Sequence, residues 1–401
     1  MQVTLIGLGG AGETMTLAAR EALEQAEIVI GAARLLESLS KTGGQRYVTA
    51  YKTEAVLDIL AREKAERACV VFSGDTGFYS GARALLPRLR EDGIDCGVLP
   101  GLSSVQMLAA RLGRPWQDWT LVSAHGAVCD PIAAVMRGKP AFFLTGGRNT
   151  PATLCRALAG AGLGRLGVTV GEELASARER IVETDAAEAA RQTFAPLSVL
   201  LVEEAERPDV PVGGLRDELF VRGGVPMTKQ EVRAAALSKL ALRRTDTVWD
   251  VGAGTGSVSV ALALAADSGR VYAVECAEEA CELIETNRRR FGAWNLRLVH
   301  GTAPEALAGL PAPDAVFIGG NRGRLRAIVE TVLSANPAAR LCVSAIALET
   351  LGEALEICKA RGLDTEITQI AVSHARTAGA LHLLTANNPV FLITAKRGGD
   401  V

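Results

Sequence analysis

Thr247-Val248-Trp249-Asp250-Val251-Gly252-Ala253-Gly254-Thr255-Gly256 runs from β-branched and aromatic residues straight into three glycines, and Ser257–Ala266 follow as an alanine- and valine-rich helical run. Strand, glycine turn and helix in this order form a ligand loop: glycine permits the tight turn and a close approach to the backbone, and the helix start offers unpaired N–H groups. A dinucleotide loop uses the same logic, so the spacing alone leaves a nicotinamide oxidoreductase open. Three flanking features narrow the choice. Asp250 ends the strand immediately before the turn, awkward beside a pyrophosphate but suited to a cationic amino-acid moiety. Val271-Tyr272-Ala273-Val274-Glu275 is an apolar strand ending in an acid, where a carboxylate can accept both hydroxyls of an adenosine ribose. Ala315-Val316-Phe317-Ile318-Gly319-Gly320 is a further strand opening into glycines at the expected mouth of the sheet.

These features favour S-adenosylmethionine over a dinucleotide, and the rest of the chain is compatible with that reading. At 401 residues two or three domains are expected. The residues are 48% hydrophobic and 22% charged with formal net charge −2, which gives no electrostatic case for nucleic acid or an anionic membrane. An aromatic content of 4% argues against base-stacking platforms. The eight cysteines contain no C-x-x-C pair and scatter through apolar segments, so they read as buried structural thiols in a reducing compartment. The first apolar run has no basic segment before it and is soon broken by Gly7, as in a core strand rather than a signal peptide. No apolar run approaches the roughly 20 residues of a membrane span. A cytoplasmic protein is expected.

From residue 1 to about 200, β-branched runs alternate with Ala- and Leu-rich helical stretches. Strands are predicted at Val3–Leu8, Ile28–Gly31, Ala68–Ser73, Asp95–Leu99, Trp119–Ser123, Pro140–Thr145, Gly167–Gly171 and Leu197–Glu203. The alternation predicts a largely parallel α/β arrangement, and two groups of strands suggest two lobes. Glu203–Gly214 is acidic and rich in Pro and Gly, so an interdomain linker is placed at 204–216, between domains 1–203 and 217–401. The second half restarts the α/β alternation as a doubly wound sheet. Its tail, with strands predicted at Glu366–Val372, Leu381–Ala386 and Val390–Ala395, is expected to end as a hairpin.

In the second half, Gly224-Val225-Pro226-Met227-Thr228-Lys229, the loop Asp250–Val258, Gly301-Thr302-Ala303-Pro304, Pro313–Gly320 and Asn388-Pro389-Val390 together resemble the precorrin C15-methyltransferase/decarboxylase family. That resemblance implies a Rossmann-like class I methyltransferase fold over about 217–396. It implies cofactor contacts at Gly252, Gly254, Gly256 and Glu275, with Thr228 and Gly301, Thr302 and Ala303 also against the cofactor. Asp250 and Gly319 are assigned to the same site. Ala261 stands where many relatives carry glutamate, and Asn321-Arg322 follow the Gly319-Gly320 pair in place of small residues.

The first half opens with a strand and glycine turn, Leu5-Ile6-Gly7-Leu8-Gly9-Gly10-Ala11-Gly12. Gly74-Asp75-Thr76-Gly77-Phe78, Pro100-Gly101-Leu102-Ser103-Ser104 and Ser123-Ala124-His125-Gly126 each place small or polar residues just after an apolar strand, where strand ends build ligand crevices. These runs, with Gly171–Leu174 and Glu179–Ile181, resemble the C5-methyltransferase branch of the tetrapyrrole methylase family. The resemblance implies a two-lobed fold with a second cofactor site, assigned to Gly9, Asp75, Phe78, Ser103 and Ser104. Gly10 and Thr76 stand where relatives usually have proline, and Ala127 where arginine commonly follows His-Gly.

The two halves together resemble the fused, decarboxylating precorrin-6Y C5,15-methyltransferase family of cobalamin biosynthesis. That implies methylation of precorrin-6B at C5 and C15 with loss of the C12 acetate carboxyl, giving precorrin-8. One S-adenosylmethionine per half is implied, and a homo-oligomer, a tetramer by analogy. Carboxylates on a tetrapyrrole need cations or N–H groups, for which Arg222, Lys229, Arg322, Arg324 and Arg376 are candidates, with His125 in the first half. His125 equally suits a structural role beside its glycine. No pair of histidines has metal-ligand spacing, so no metal is expected.

Overall fold

The computed structural model describes residues 1–10, 14–40, 44–63, 65–126, 129–206 and 214–398. Ala127 and most of the expected linker, residues 207–213, lie outside them. The chain folds into two compact units. One comprises Met1–Cys129, Lys139–Ala159 and Gly164–Glu203; the other comprises Asp130–Gly138, Gly160–Leu163 and Glu204–Val401. The second unit thus takes in two short pieces that precede the expected break at residue 203.

The first unit holds two five-stranded sheets. In one, the order in space is Arg46–Thr49, Ile28–Gly31, Arg67–Phe72, Gln2–Gly7 and Asp95–Leu99, and every pairing is parallel. Its apolar strands are covered on both faces, as Val3, Leu5, Ile28, Ile30 and Val70 pack in one cluster and Ile6, Val29, Cys69 and Val71 in another. The other sheet is mixed rather than parallel. Thr120–Ser123 and Ala141–Leu144 are parallel, but Ser198–Val202 runs antiparallel between Ala141–Leu144 and Gly167–Glu172. Two strands escape the sequence reading, Arg46–Thr49 and Arg180–Asp185. Both are edge strands, half-buried at most, so they lack the continuous apolar run that marks a central strand.

The second unit is built on a seven-stranded sheet. Its order is Leu296–His300, Arg270–Glu275, Thr247–Val251, Ala315–Ile318, Arg340–Ala345, Val390–Arg397 and Leu363–Ile370. The first five are mutually parallel; Val390–Arg397 runs antiparallel to both of its neighbours, Arg340–Ala345 and Leu363–Ile370, so it alone is reversed in this sheet. Thr247–Val251 is the middle one of the first five strands, with its successor on one side and Ala315–Ile318 on the other. This reversal of strand order opens a crevice beyond the strand C-termini. The helix Ser257–Ala265 that leaves the glycine turn is buried from Ser257 through Ala263, which explains why it is built of small apolar residues.

The tail differs from expectation. Leu381–Ala386 does not join the main sheet; it pairs with Ser373–Ala378 as a separate two-stranded ribbon inserted between Leu363–Ile370 and Val390–Arg397. The strand at Ser373–Ala378 is short, polar and exposed, so neither periodicity nor an apolar run announces it.

Candidate functional site

A cavity of about 960 Å³ opens at the C-terminal ends of the parallel strands in the second unit. Three glycine-bearing turns converge there: Gly252–Gly254 after Thr247–Val251, Gly301 after Leu296–His300, and Gly319–Gly320 after Ala315–Ile318. Gly252 has φ 71°, and a Cβ there would stand 2.6 Å from the Gly320 Cα. Only glycine lets two adjacent turns approach this closely. A strap, Gly224–Lys229, lines the same cavity.

Glu275 also lines the cavity. Its Oε2 accepts the Gly254 N–H at 2.9 Å, and Oε1 accepts those of Cys276 and Ala277 at 2.8 and 3.0 Å. Burial pushes the Glu275 carboxyl up, but these backbone donors more than offset it and hold the group below its ordinary value. Glu275 is therefore an ionised acceptor, and it ties its own strand to the glycine turn.

Asp250 is placed differently from the sequence assignment. Its side chain is 1% exposed and does not line the cavity. One oxygen accepts the Ser259 hydroxyl and the other has no partner among the described residues. Burial, only partly countered by Ser259, pushes this carboxyl up to about 7. Asp250 thus sits beneath the turn as a core group rather than touching a ligand directly. Gly256 also lies outside the cavity lining. It caps the following helix at φ 75°, where a Cβ would come 3.0 Å from Ile284.

Of the remaining assigned residues, Thr228, Gly252, Gly254, Gly301, Thr302, Ala303 and Gly319 all line the cavity. Among the candidate cations, Lys229 and Arg322 line it and have no ion-pair partner among the described residues. Arg324 is engaged with both carboxylate oxygens of Glu305, one at 2.7 Å, and is outside the lining. Arg222 is exposed away from the lining, and Arg376 stands on the exposed ribbon. The sequence reading missed Ser344, Thr350 and Asn387, which the ends of later elements bring into the lining. It also took every cysteine as buried, whereas Cys276 lines the cavity and Cys96 and Cys129 are half-buried.

In the first unit, the turns after Gln2–Gly7, Arg67–Phe72 and Asp95–Leu99 meet. Gly9 and Gly74 exchange backbone hydrogen bonds at 2.9 and 3.1 Å. Asp75 accepts the N–H groups of Gly77 at 2.8 Å and Gly101 at 3.2 Å, so it ties two of these turns together. Ser103 is a buried helix cap, with Gln106 completing a capping box, and Ser104 begins that helix. A separate recess of about 500 Å³ is lined by Phe78, along with Thr76, Tyr79, Arg83 and Leu121. Gly9, Asp75, Ser103 and Ser104 are not part of that lining. Gly10 has no space for a ring, since a Cβ there would stand 2.7 Å from the Ala175 Cβ. The His125 ring lies over Gly146, whose Cβ position it occupies, with Nδ1 3.4 Å from the Thr145 carbonyl. This contact accounts for His125 structurally.

The two units match two family models. The precorrin methyltransferase domain model covers residues 218–397, and the tetrapyrrole (corrin/porphyrin) methylase model covers residues 2–190. One relative spans both: precorrin-6Y C(5,15)-methyltransferase [decarboxylating] of Sinorhizobium sp is 32% identical over 389 residues, covering 94% of this chain and 92% of the relative. The chain belongs to the precorrin-6Y C5,15-methyltransferase (decarboxylating) family. Further relatives match the second half. The cobalt-precorrin-6B C(15)-methyltransferase (decarboxylating) of Salmonella typhimurium is 41% identical over 186 residues, 46% of this chain and 96% of that protein. A crystal structure of precorrin-6Y C5,15-methyltransferase from Geobacter metallireducens shares 36% identity, covering 47% of this chain and 100% of that one with a TM-score of 0.45.

Proposed function

We propose that this methyltransferase transfers two methyl groups from S-adenosylmethionine to precorrin-6B, at C5 and C15, and removes the C12 acetate carboxyl as CO2, giving precorrin-8. The 1–203 half performs the C5 transfer, and the 217–401 half performs the C15 transfer and decarboxylation, with one cofactor bound to each. The observation that carries the reading is the shared lining of one cavity. Glu275 and the glycine turn supply an ionised carboxylate and close-approach backbone, and the same cavity presents the unpartnered cations Lys229 and Arg322.

The residues suit that cofactor. Glu275 retains acceptor capacity for ribose hydroxyls beyond its backbone bonds, and the Gly252–Gly254 turn admits an amino-acid moiety close to the main chain. When bound, the sulfonium supplies an already activated methyl group. The chain's own work is then positioning and exclusion of water. The C15 carbon of the macrocycle forms the new bond to the methyl, the sulfur keeps the electron pair of the broken bond, and the ring later loses a proton or CO2. In decarboxylation the electron pair of the broken C–C bond enters the extended π system and a proton then replaces CO2 on the C12 substituent, leaving a methyl group, so the protein needs no separate electron sink. Lys229 and Arg322 hold peripheral carboxylates and fix the ring's register over the cofactor.

The protein works in the cytoplasm and as a homo-oligomer. The exposed ribbon supports the latter, as it carries Leu381, Leu383 and Leu384 at 65%, 45% and 76% exposure. The test of the reaction is mass spectrometry of precorrin-6B incubated with the full chain and S-adenosylmethionine. The expected product carries two added methyl groups and lacks one CO2. An unchanged substrate mass overturns the proposal.

A further inference from the structure

The strap preceding the helix Gln230–Leu240 has little regular structure of its own between Leu215 and Lys229, apart from the short turn Asp217–Leu219. Yet its last residues line the cavity. Side chains from two helices hold it. Arg233, 2% exposed, donates to the Leu215 and Thr228 carbonyls, the latter at 2.8 Å, and reaches Asp217 at 3.2 Å. From the helix Glu278–Arg290, Glu279 accepts the Gly224 N–H at 3.1 Å.

Asn287 on that same helix is fully buried and bonds in two directions. Its Oδ1 accepts the Val221 N–H at 2.8 Å, and its amide donates to the Val221 carbonyl at 3.0 Å. The second amide hydrogen goes to the Thr255 carbonyl at 2.9 Å, inside the glycine turn. One side chain therefore grips the strap by both backbone groups of Val221 and grips the turn at once. Ile284, one helical turn earlier, packs against Gly256 at the far end of the same turn. Nothing else that bonds the strap among these residues also bonds the glycine turn.

We propose that Asn287 is a positioning residue that makes strap and glycine turn a single unit, so that S-adenosylmethionine binding in the second half requires both at once. This rests on the cofactor reading above. Asn287 does not itself line the cavity, so it acts through Val221 and Thr255. An aspartate keeps the shape and the Val221 N–H bond but loses both donors and turns an oxygen toward two carbonyls.

The test compares wild type, Asn287→Asp and Glu279→Ala by calorimetry with S-adenosylmethionine and by hydrogen exchange, all on the full chain. In wild type, cofactor should protect the amides of the strap and of the turn together. Asn287→Asp should weaken binding at one of the two sites about tenfold, from the loss of two buried hydrogen bonds. Protection should then extend to the turn but not the strap, and kcat for the C15 methyl transfer at saturating cofactor should fall far less than KM rises. If Asn287→Asp does not fold, Glu279→Ala carries the test through its hydrogen-exchange pattern, since that residue is exposed but also lines the cavity, so affinity alone does not isolate the strap. It cuts a second strap anchor and should weaken the same site severalfold while leaving turn protection intact. Unchanged affinity in a folded variant, or strap and turn still protected together, overturns the proposal. A wild-type chain that binds no cofactor overturns instead the reading on which it rests.

Discussion

Gly254 donates its backbone N–H to the Glu275 carboxylate at 2.9 Å, so the acid that ends one strand is bonded to the turn that ends its neighbour. The bond makes the orientation of the ribose-binding candidate and the shape of the glycine turn interdependent. The position of Thr247–Val251 in the middle of the five parallel strands places both at the crevice. This pair forms the core of the proposed cofactor site in the second half.

Glu275→Gln should weaken S-adenosylmethionine binding at one of two sites roughly tenfold or more, because a charged acceptor is replaced by a neutral one. Titration calorimetry on the full chain reads this as one retained and one weakened binding event. Two unchanged events would remove Glu275 from the site.

Gly252→Ala should destabilise the second unit by roughly 2 kcal/mol or more, since the residue is at positive φ and its Cβ would meet the Gly320 backbone. Denaturant unfolding gives the number. A loss below about 0.5 kcal/mol would mean that the two turns can separate without cost.

Asp250 sets a pH dependence of the opposite sign to that of an ion-paired carboxylate. Its folded-state pKa, about 7, is above the ordinary 3.8, so the folded protein holds the extra proton between those values. The contribution to stability is complete below 3.8 and is lost as pH rises toward about 7. Asp250→Asn, which cannot ionise, should therefore lose less stability than wild type between about pH 5 and pH 8, compared by denaturant midpoints in the absence of cofactor. Parallel curves for the two proteins would refute the assignment.

Lys229→Met and Arg322→Met should each raise KM for the tetrapyrrole severalfold while leaving cofactor affinity within about twofold, as removal of one carboxylate contact implies. Arg324→Met should do less, because its guanidinium is already paired with Glu305. Steady-state kinetics at fixed cofactor distinguishes the three.

Much of this site was legible in the sequence because its chemistry sits at strand ends. The turn Asp250–Gly256, the strand ending in Glu275 and the Gly319-Gly320 pair are contiguous patterns with local causes, and the structure brings most of them to one cavity. What escaped is tertiary. Nothing local marks Asn287 and Arg233 among the residues of their helices, and only the strap folding across them shows that they are buried. Asp250 was legible as an acid beside the turn, but its direction, into the core and onto Ser259, is set by the packing of the following helix. The ribbon Ser373–Ala386 went unread as a separate sheet because its two strands cover no core, so no apolar period marks their pairing.

The proposed division of labour between the halves can be tested from both sides, since Asp75 offers the matching handle in the first unit. There it bonds Gly77 and Gly101 and so shapes two of the converging turns. The most direct measurement is mass spectrometry and NMR of the product from precorrin-6B and methyl-labelled S-adenosylmethionine, using wild type, Asp75→Asn and Glu275→Gln. Wild type should give both methyl groups and CO2 loss, Asp75→Asn should lose the C5 label alone, and Glu275→Gln should lose the C15 label and decarboxylation. Equal loss of both labels in either folded variant, or a C15 label that depends on Asp75, would contradict that division.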